Sequence, residues 1–182
     1  MNYHNIVHDD MRNGSGLRVT LFVSGCSHHC FNCQNPQTWD FDSGVPFDES
    51  AKNEIFEQLS QDYISGITFS GGDPLYENNL DIVLSLVNEI RLSFGDTKTI
   101  WIYSGYTWKQ IMNPIITDDF NPIRDEVIKK RKNIISKCDV LVDGRYVENQ
   151  RDVTLKWRGS SNQSVIDVKK SLQQNKVILY CD

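Results

Sequence analysis

Cys26, Cys30 and Cys33 stand together in the run Ser24-Gly25-Cys26-Ser27-His28-His29-Cys30-Phe31-Asn32-Cys33. A C-x3-C-x2-C spacing brings three thiolates to one place and supplies one ligand fewer than a closed four-coordinate site requires. Three thiolates on a four-iron cluster leave one iron free to bind a group that is not protein. With His28 or His29 as a fourth ligand, the same run would instead complete a structural Cys3His zinc site. Zinc ligands usually come as two separated pairs, and the other cysteines, Cys138 and Cys181, are isolated from any second Cys or His. The spacing favours an iron–sulfur cluster and leaves zinc open. A disulfide framework fits poorly, because the five cysteines make an odd count and no secretory pattern opens the chain.

Such a loop must be held by a fold of adequate size. The 182 residues, 39% hydrophobic and 24% charged, are expected to form one domain with a sizeable core. A formal net charge of -5 argues against a nucleic-acid partner, whose phosphates call for cationic surfaces. Apolar runs such as Ile82-Val83-Leu84 are far too short to span a bilayer. Free thiols and the lack of a membrane segment fit a reducing cytoplasm.

Strand and helix patterns alternate along the chain. Leu17 to Ser24 reads as a strand that feeds directly into the cysteine loop. Asp48 caps a helix to about Gln61, with Ala51, Ile55 and Leu59 on one face. A second strand, Ile64 to Ser70, ends in Gly71-Gly72-Asp73-Pro74, and a helix from Glu77 to Phe94 carries Val83, Leu86, Val87 and Ile90 as a stripe. Thr99 to Tyr103 is a third strand, closed by Ser104-Gly105-Tyr106, and Thr107 with Gln110 forms a capping box. After an interruption from Pro114 to Pro122, Ile123, Val127, Ile128, Ile134 and Ile135 mark another amphipathic helix. Cys138 to Val142 is a fourth strand, ending in Asp143-Gly144, with Cys138 as a core thiol at its start. Further β-rich pieces fall near Val153 to Trp157 and Lys176 to Tyr180.

Repeated βα units predict a mostly parallel sheet whose sites open beyond the carboxyl ends of the strands. The cysteine loop, Gly71-Gly72-Asp73-Pro74, Ser104-Gly105-Tyr106 and Asp143-Gly144 would then share one face. Paired glycines before Asp-Pro are common turn punctuation. At a strand's carboxyl end they also let a ligand approach bare backbone. Too few units fit in 182 residues for an eightfold barrel of about 250, so an incomplete (βα) barrel with an open side is expected.

The cysteine loop after one strand and Gly-Gly-Asp-Pro after the next resemble the radical S-adenosylmethionine superfamily. More narrowly, the chain is similar to the anaerobic ribonucleoside-triphosphate reductase activating proteins. The likeness rests on Thr20 to Cys26, Asn35-Pro36-Gln37-Thr38-Trp39, Ser70 to Leu75, Ile100 to Tyr106, Val140 to Gly144, and Trp157-Arg158-Gly159-Ser160-Ser161-Asn162-Gln163. It runs from near residue 14 to about residue 165, within a single domain of residues 1–182.

The resemblance implies that Cys26, Cys30 and Cys33 ligate a 4Fe-4S cluster whose fourth iron chelates S-adenosyl-L-methionine. Gly71, Gly72 and Asp73 would line the cofactor's amino group. Reductive cleavage would yield a radical that takes a hydrogen atom from a glycine of the reductase's large subunit, with a one-electron donor such as a flavodoxin. No side-chain acid or base is then required. The superfamily commonly has an aromatic residue before its third cysteine; here Asn32 stands there, and adenine would be held by backbone near Asn32 and Gln34. Alternatives are activation of a different glycyl-radical enzyme, radical chemistry on a small molecule, or a non-enzymatic iron–sulfur or zinc module.

Other features carry less. His28 and His29 read as solvent-facing or hydrogen-bonded, with tuning of the cluster's potential as the functional alternative. Lys129-Lys130-Arg131-Lys132 reads as a solvated helix face or a docking patch. Arg158 is a candidate for a cofactor carboxylate, a partner's backbone or a structural ion pair.

Overall fold

A computed structural model describes residues 1–114 and 121–181. Seven strands form one sheet: β1 (Asn2–Asp10), β2 (Arg18–Val23), β3 (Val45–Pro46), β4 (Gly66–Gly71), β5 (Thr99–Tyr103), β6 (Val140–Asp143) and β7 (Ser164–Asp167), in the order β3-β1-β2-β4-β5-β6-β7. The four expected strands are its parallel centre, β2-β4-β5-β6. The chain is thus an α/β fold with a mixed sheet. The strand order is linear, with β3 and β7 at its edges.

Among the described residues five α-helices accompany the sheet: α1 (Glu49–Leu59), α2 (Leu80–Phe94), α3 (Trp108–Met112), α4 (Pro122–Ser136) and α5 (Val168–Gln174). Local chemistry fixes their starts. Asp48 accepts from the Ala51 N–H, and Thr107 and Gln110 form the expected reciprocal capping box. The stripes of α1 and α2 are buried as their period requires. In α4 only the C-terminal half is sunk, through Ile134 and Ile135, while Ile123 is 75% exposed. The expected interruption from Pro114 to Pro122 lies largely outside the described residues.

All five helices contribute to the cluster that contains Val19, Leu21 and Val23 of β2, Ile67 and Phe69 of β4, and Ile102 of β5. The helices therefore stack on one face of the sheet. Alternation turns Arg18, Thr20 and Phe22 to the other face, beside Thr68, Trp101 and Val142 from neighbouring strands. This second face carries a smaller apolar group of Trp101, Val140, Val142 and Val165, with Trp157 and Cys181 against it. Arg18 is fully buried here, and among the described residues its guanidinium donates only to neutral oxygens of Ser15, Ile67, Thr68 and Thr99. Burial lowers its pKa to about 10.

The periphery departs from expectation. β1 and β3 pair antiparallel at one edge, where Asn, His and Asp interrupt the apolar pattern that would announce a strand. Val153 to Trp157 is not a strand. Asp152 Oδ1 accepts from both the backbone and the hydroxyl of Thr154, which turns the chain, and Val153 is 81% exposed. Lys176 to Tyr180 contributes an isolated bridge, Ile166 to Leu179, and β7 takes the edge beside β6.

Candidate cofactor site

β2, β4, β5 and β6 run parallel, so their carboxyl ends deliver four loops to one end of the sheet. A cavity of about 540 Å³ opens there on the face away from the helices. Phe22, Ser70, Tyr103 and Val142 form its floor. Cys26, Cys30 and Cys33 line it together with Gly71, Gly72 and Asp73, and Gln34 also reaches it. The expected site residues thus come together, with one exception. Asn32 is exposed, in a left-handed conformation (φ +55°), and is not part of the cavity wall.

Backbone hydrogen bonds hold the cysteine loop in place. Gly25 N–H donates to Thr38 O and Cys26 N–H to Trp39 O, so the 35–39 stretch braces the loop from one side. On the other side, Gly72 N–H donates to Val23 O, and Asp73 N–H to Gly25 O at 2.7 Å. Asn79 joins both, donating to Ser24 O and Asp73 O. The paired glycines are required by this contact. Gly71 has φ +97° and a Cβ there would stand 2.7 Å from Val23 N, while one on Gly72 would stand 2.5 Å from Gly25 O.

Burial pushes the Cys26 thiol up to about 11, against backbone hydrogen bonds at His28 and His29, and raises Cys30 as well. Both are therefore protonated at neutral pH without a bound cation, and metal loading must release their protons. Among the described residues, no three His, Cys, Asp or Glu side chains converge to hold a single metal ion. Three thiols lining one cavity fit the donor set of an iron–sulfur cluster. Two orphaned donors strengthen that fit. Among the described residues, Trp39 Nε1 and Arg158 Nε are buried without a partner, and both residues line the cavity.

Some neighbours follow the sequence reading and others depart from it. Asp73 is 1% exposed, and its carboxylate accepts from Leu75 N, Ser104 Oγ, Gly105 N and His28 Nε2. His28 is accordingly hydrogen-bonded and buried at its ring, whereas exposed His29 stacks on Trp39 with centroids 4.8 Å apart. Asp143 turns away from the cavity to bond Trp108 N and Ser164 N, and burial raises its pKa. Arg131 leaves the solvated face expected for its basic run, bonding Leu75 O and lying 3.9 Å over the Tyr106 ring. Lys130 pairs with Asp81 and Glu126.

The far wall is the stretch from Trp157 to Gln163. Gln163 Oε1 accepts from Gly159 N and Ser160 N while its Nε2 donates to Gly144 O, fastening this wall to the end of β6. Asn162 donates to Arg145 O. Arg158 donates to Gln163 O. Arg12 and Arg145 also line the cavity. Neither was singled out from the sequence, though Arg145 directly follows the Asp143-Gly144 turn.

A strand-end cavity with three thiols defines the class. Residues 12–166 match the family model described as a 4Fe-4S single cluster domain. The "anaerobic ribonucleoside-triphosphate reductase-activating protein" of Escherichia coli (strain K12) is 40% identical over 91% of this chain and 97% of its own. The proteins of the same name from Haemophilus influenzae and Enterobacteria phage T4 are each 37% identical, covering 91% and 90% of this chain and 97% and 92% of their own. The chain belongs to the 4Fe-4S single cluster domain family and, within it, to the anaerobic ribonucleoside-triphosphate reductase-activating proteins.

Proposed function

We propose that this protein generates a glycyl radical on the large subunit of an anaerobic ribonucleoside-triphosphate reductase, as a radical S-adenosylmethionine oxidoreductase. The carrying observation is that Cys26, Cys30, Cys33, Gly71, Gly72 and Asp73 line one cavity at the carboxyl ends of parallel strands. A 4Fe-4S cluster held there with S-adenosylmethionine would supply reductive sulfonium cleavage and a radical able to take a hydrogen atom from glycine.

This chain's residues bind, orient and exclude water. Cys26, Cys30 and Cys33 would hold the cluster, and the buried Cys26 and Cys30 thiols would give up their protons on loading. Gly71 and Gly72 offer backbone to the cofactor's amino end, and the buried Asp73 carboxylate fixes that turn. Arg158 Nε and Trp39 Nε1 are the free donors for cofactor oxygens. Gln34 stands at the adenine end, where the reading for Asn32 rests on its backbone.

The fold reading is a single domain forming an incomplete barrel, supported by helices stacked on one face of the sheet. Among the described residues no helix covers the cavity side, which suits a glycine on another protein's loop. A cytoplasmic setting, with a one-electron donor such as a flavodoxin, fits the free thiols. Among the described residues no helix is long and apolar enough to cross a membrane.

Anaerobic reconstitution with iron and sulfide, followed by reduction with S-adenosylmethionine and the reductase large subunit, tests the reading. We expect four irons per chain, released methionine, and a glycyl radical doublet in electron paramagnetic resonance. Cys30→Ala should lose both cluster and cleavage. Cleavage without a doublet would redirect the protein to another substrate, and a bound cluster indifferent to S-adenosylmethionine would leave a non-enzymatic module.

A further inference from the structure

We propose that His28 is a positioning residue: its imidazole bolts the cysteine loop to the three other loops at the carboxyl end of the sheet. Each contact comes from a different loop. Nε2 lies 2.8 Å from Asp73 Oδ2 in the turn after β4. The ring packs edge-on against Tyr106, after β5, with centroids 4.5 Å apart. Arg145, after β6, donates its Nε–H to Nδ1 at 3.0 Å. The His28 and Asp73 side chains are 5% and 2% exposed, so this connection is shielded from water.

The hydrogen-bond pattern assigns the ring its form. A guanidinium only donates, so Nδ1 must accept, and Nε2–H is left to donate to Asp73. Both ring nitrogens are then committed inside the protein. No lone pair remains for a metal, which removes His28 as a fourth ligand beside the cysteines.

The seat is shaped for this ring. A Cβ on Gly105 would lie 2.2 Å from His28 Cδ2, so a side chain there must expel the imidazole. Gly105 N–H and Ser104 Oγ hold the Asp73 carboxylate that receives His28. Tyr106 is fixed in turn by Arg131, which donates to its hydroxyl at 2.8 Å. His28 lies between Cys26 and Cys30 in the chain. A fixed imidazole therefore sets where those thiols stand relative to Gly71 and Gly72.

The test uses the full-length chain stripped of metal, so it does not depend on the proposed cofactors; only its final comparison rests on that function. Hydrogen–deuterium exchange over residues 26–33 and thiol alkylation rates are measured for wild type, His28→Ala, His28→Gln, Gly105→Ala and the double variant His28→Ala/Gly105→Ala. Breaking a charge-assisted hydrogen bond should accelerate both by about tenfold or more in His28→Ala. His28→Gln, whose amide N–H can still reach Asp73, should recover most of the protection. Gly105→Ala should loosen the loop as His28→Ala does, and the double variant should be no looser than His28→Ala alone. Unchanged exchange in His28→Ala, no rescue by Gln, or additive effects of the two alanines would each overturn the proposal. If His28→Ala does not fold, His28→Gln and Gly105→Ala decide it: the proposal requires wild-type-like protection in the first and loosening in the second. After reconstitution His28→Ala should keep its iron, and iron loss equal to that of Cys30→Ala would make His28 a ligand and sink the inference.

Discussion

Asp10 shows how one side chain steadies the cavity from outside it. Burial alone would raise its carboxyl, but hydrogen bonds from Asn13 Nδ2, Arg12 N–H and Thr20 Oγ1 outweigh that and hold its pKa below the ordinary value. A depressed carboxyl stabilises the fold above its unfolded pKa of about 4 and loses that contribution as pH falls through the folded value. Asp10→Asn should therefore flatten the acid limb of a urea-midpoint profile below about pH 4 while destabilising the protein at pH 7. A slope equal to wild type would remove Asp10 from the acid transition. The residue also orders Arg12 and Asn13 on the cavity rim. Nothing in Asp9-Asp10-Met11-Arg12-Asn13 announces this, because the partner Thr20 comes from another strand. Cys26, Cys30 and Cys33 were legible for the opposite reason: their spacing is local and chemically selective.

Among the elements, α1 to α4 were read well, whereas α5 and the sheet's edges went unread. Asp48, Thr107 and the stripes of α1 and α2 act within a few residues, so sequence carries them. β1 is a strand because β2 and β3 flank it, despite its polar residues. The wall from Trp157 to Gln163 has only an isolated bridge, Ser160 to Arg151, as regular structure and relies on side-chain bonds beside it. Gln163→Ala would strip acceptors from Gly159 N and Ser160 N and a donor from Gly144 O. We expect a loss of about 1–3 kcal/mol and faster proteolysis between residues 151 and 163, read by mass spectrometry. Equal cleavage rates would show that the wall stands without Gln163.

For the whole molecule, core and site are separate. The main core lies between helices and sheet, whereas the three thiols line a cavity on the other face. Metal removal should therefore leave the secondary structure intact, unlike a zinc finger that unfolds without its ion. Far-UV circular dichroism before and after chelation should overlay, with exchange rising mainly in residues 24–39. Collapse of the spectrum would make the cluster a structural staple. By itself the sequence determined the triplet of neighbouring thiols, the βα order and the helix caps, since each depends on neighbours within a turn or two. It also placed four loops on one face, because parallel strands deliver their carboxyl ends together. Only the tertiary structure decided that Asp73 is committed to His28, Ser104 and Gly105, that Arg131 points inward to Tyr106, and that Gln163 pins the far wall. Those partners lie 19 to 45 residues apart in different elements, and no local pattern records a contact created by strand pairing.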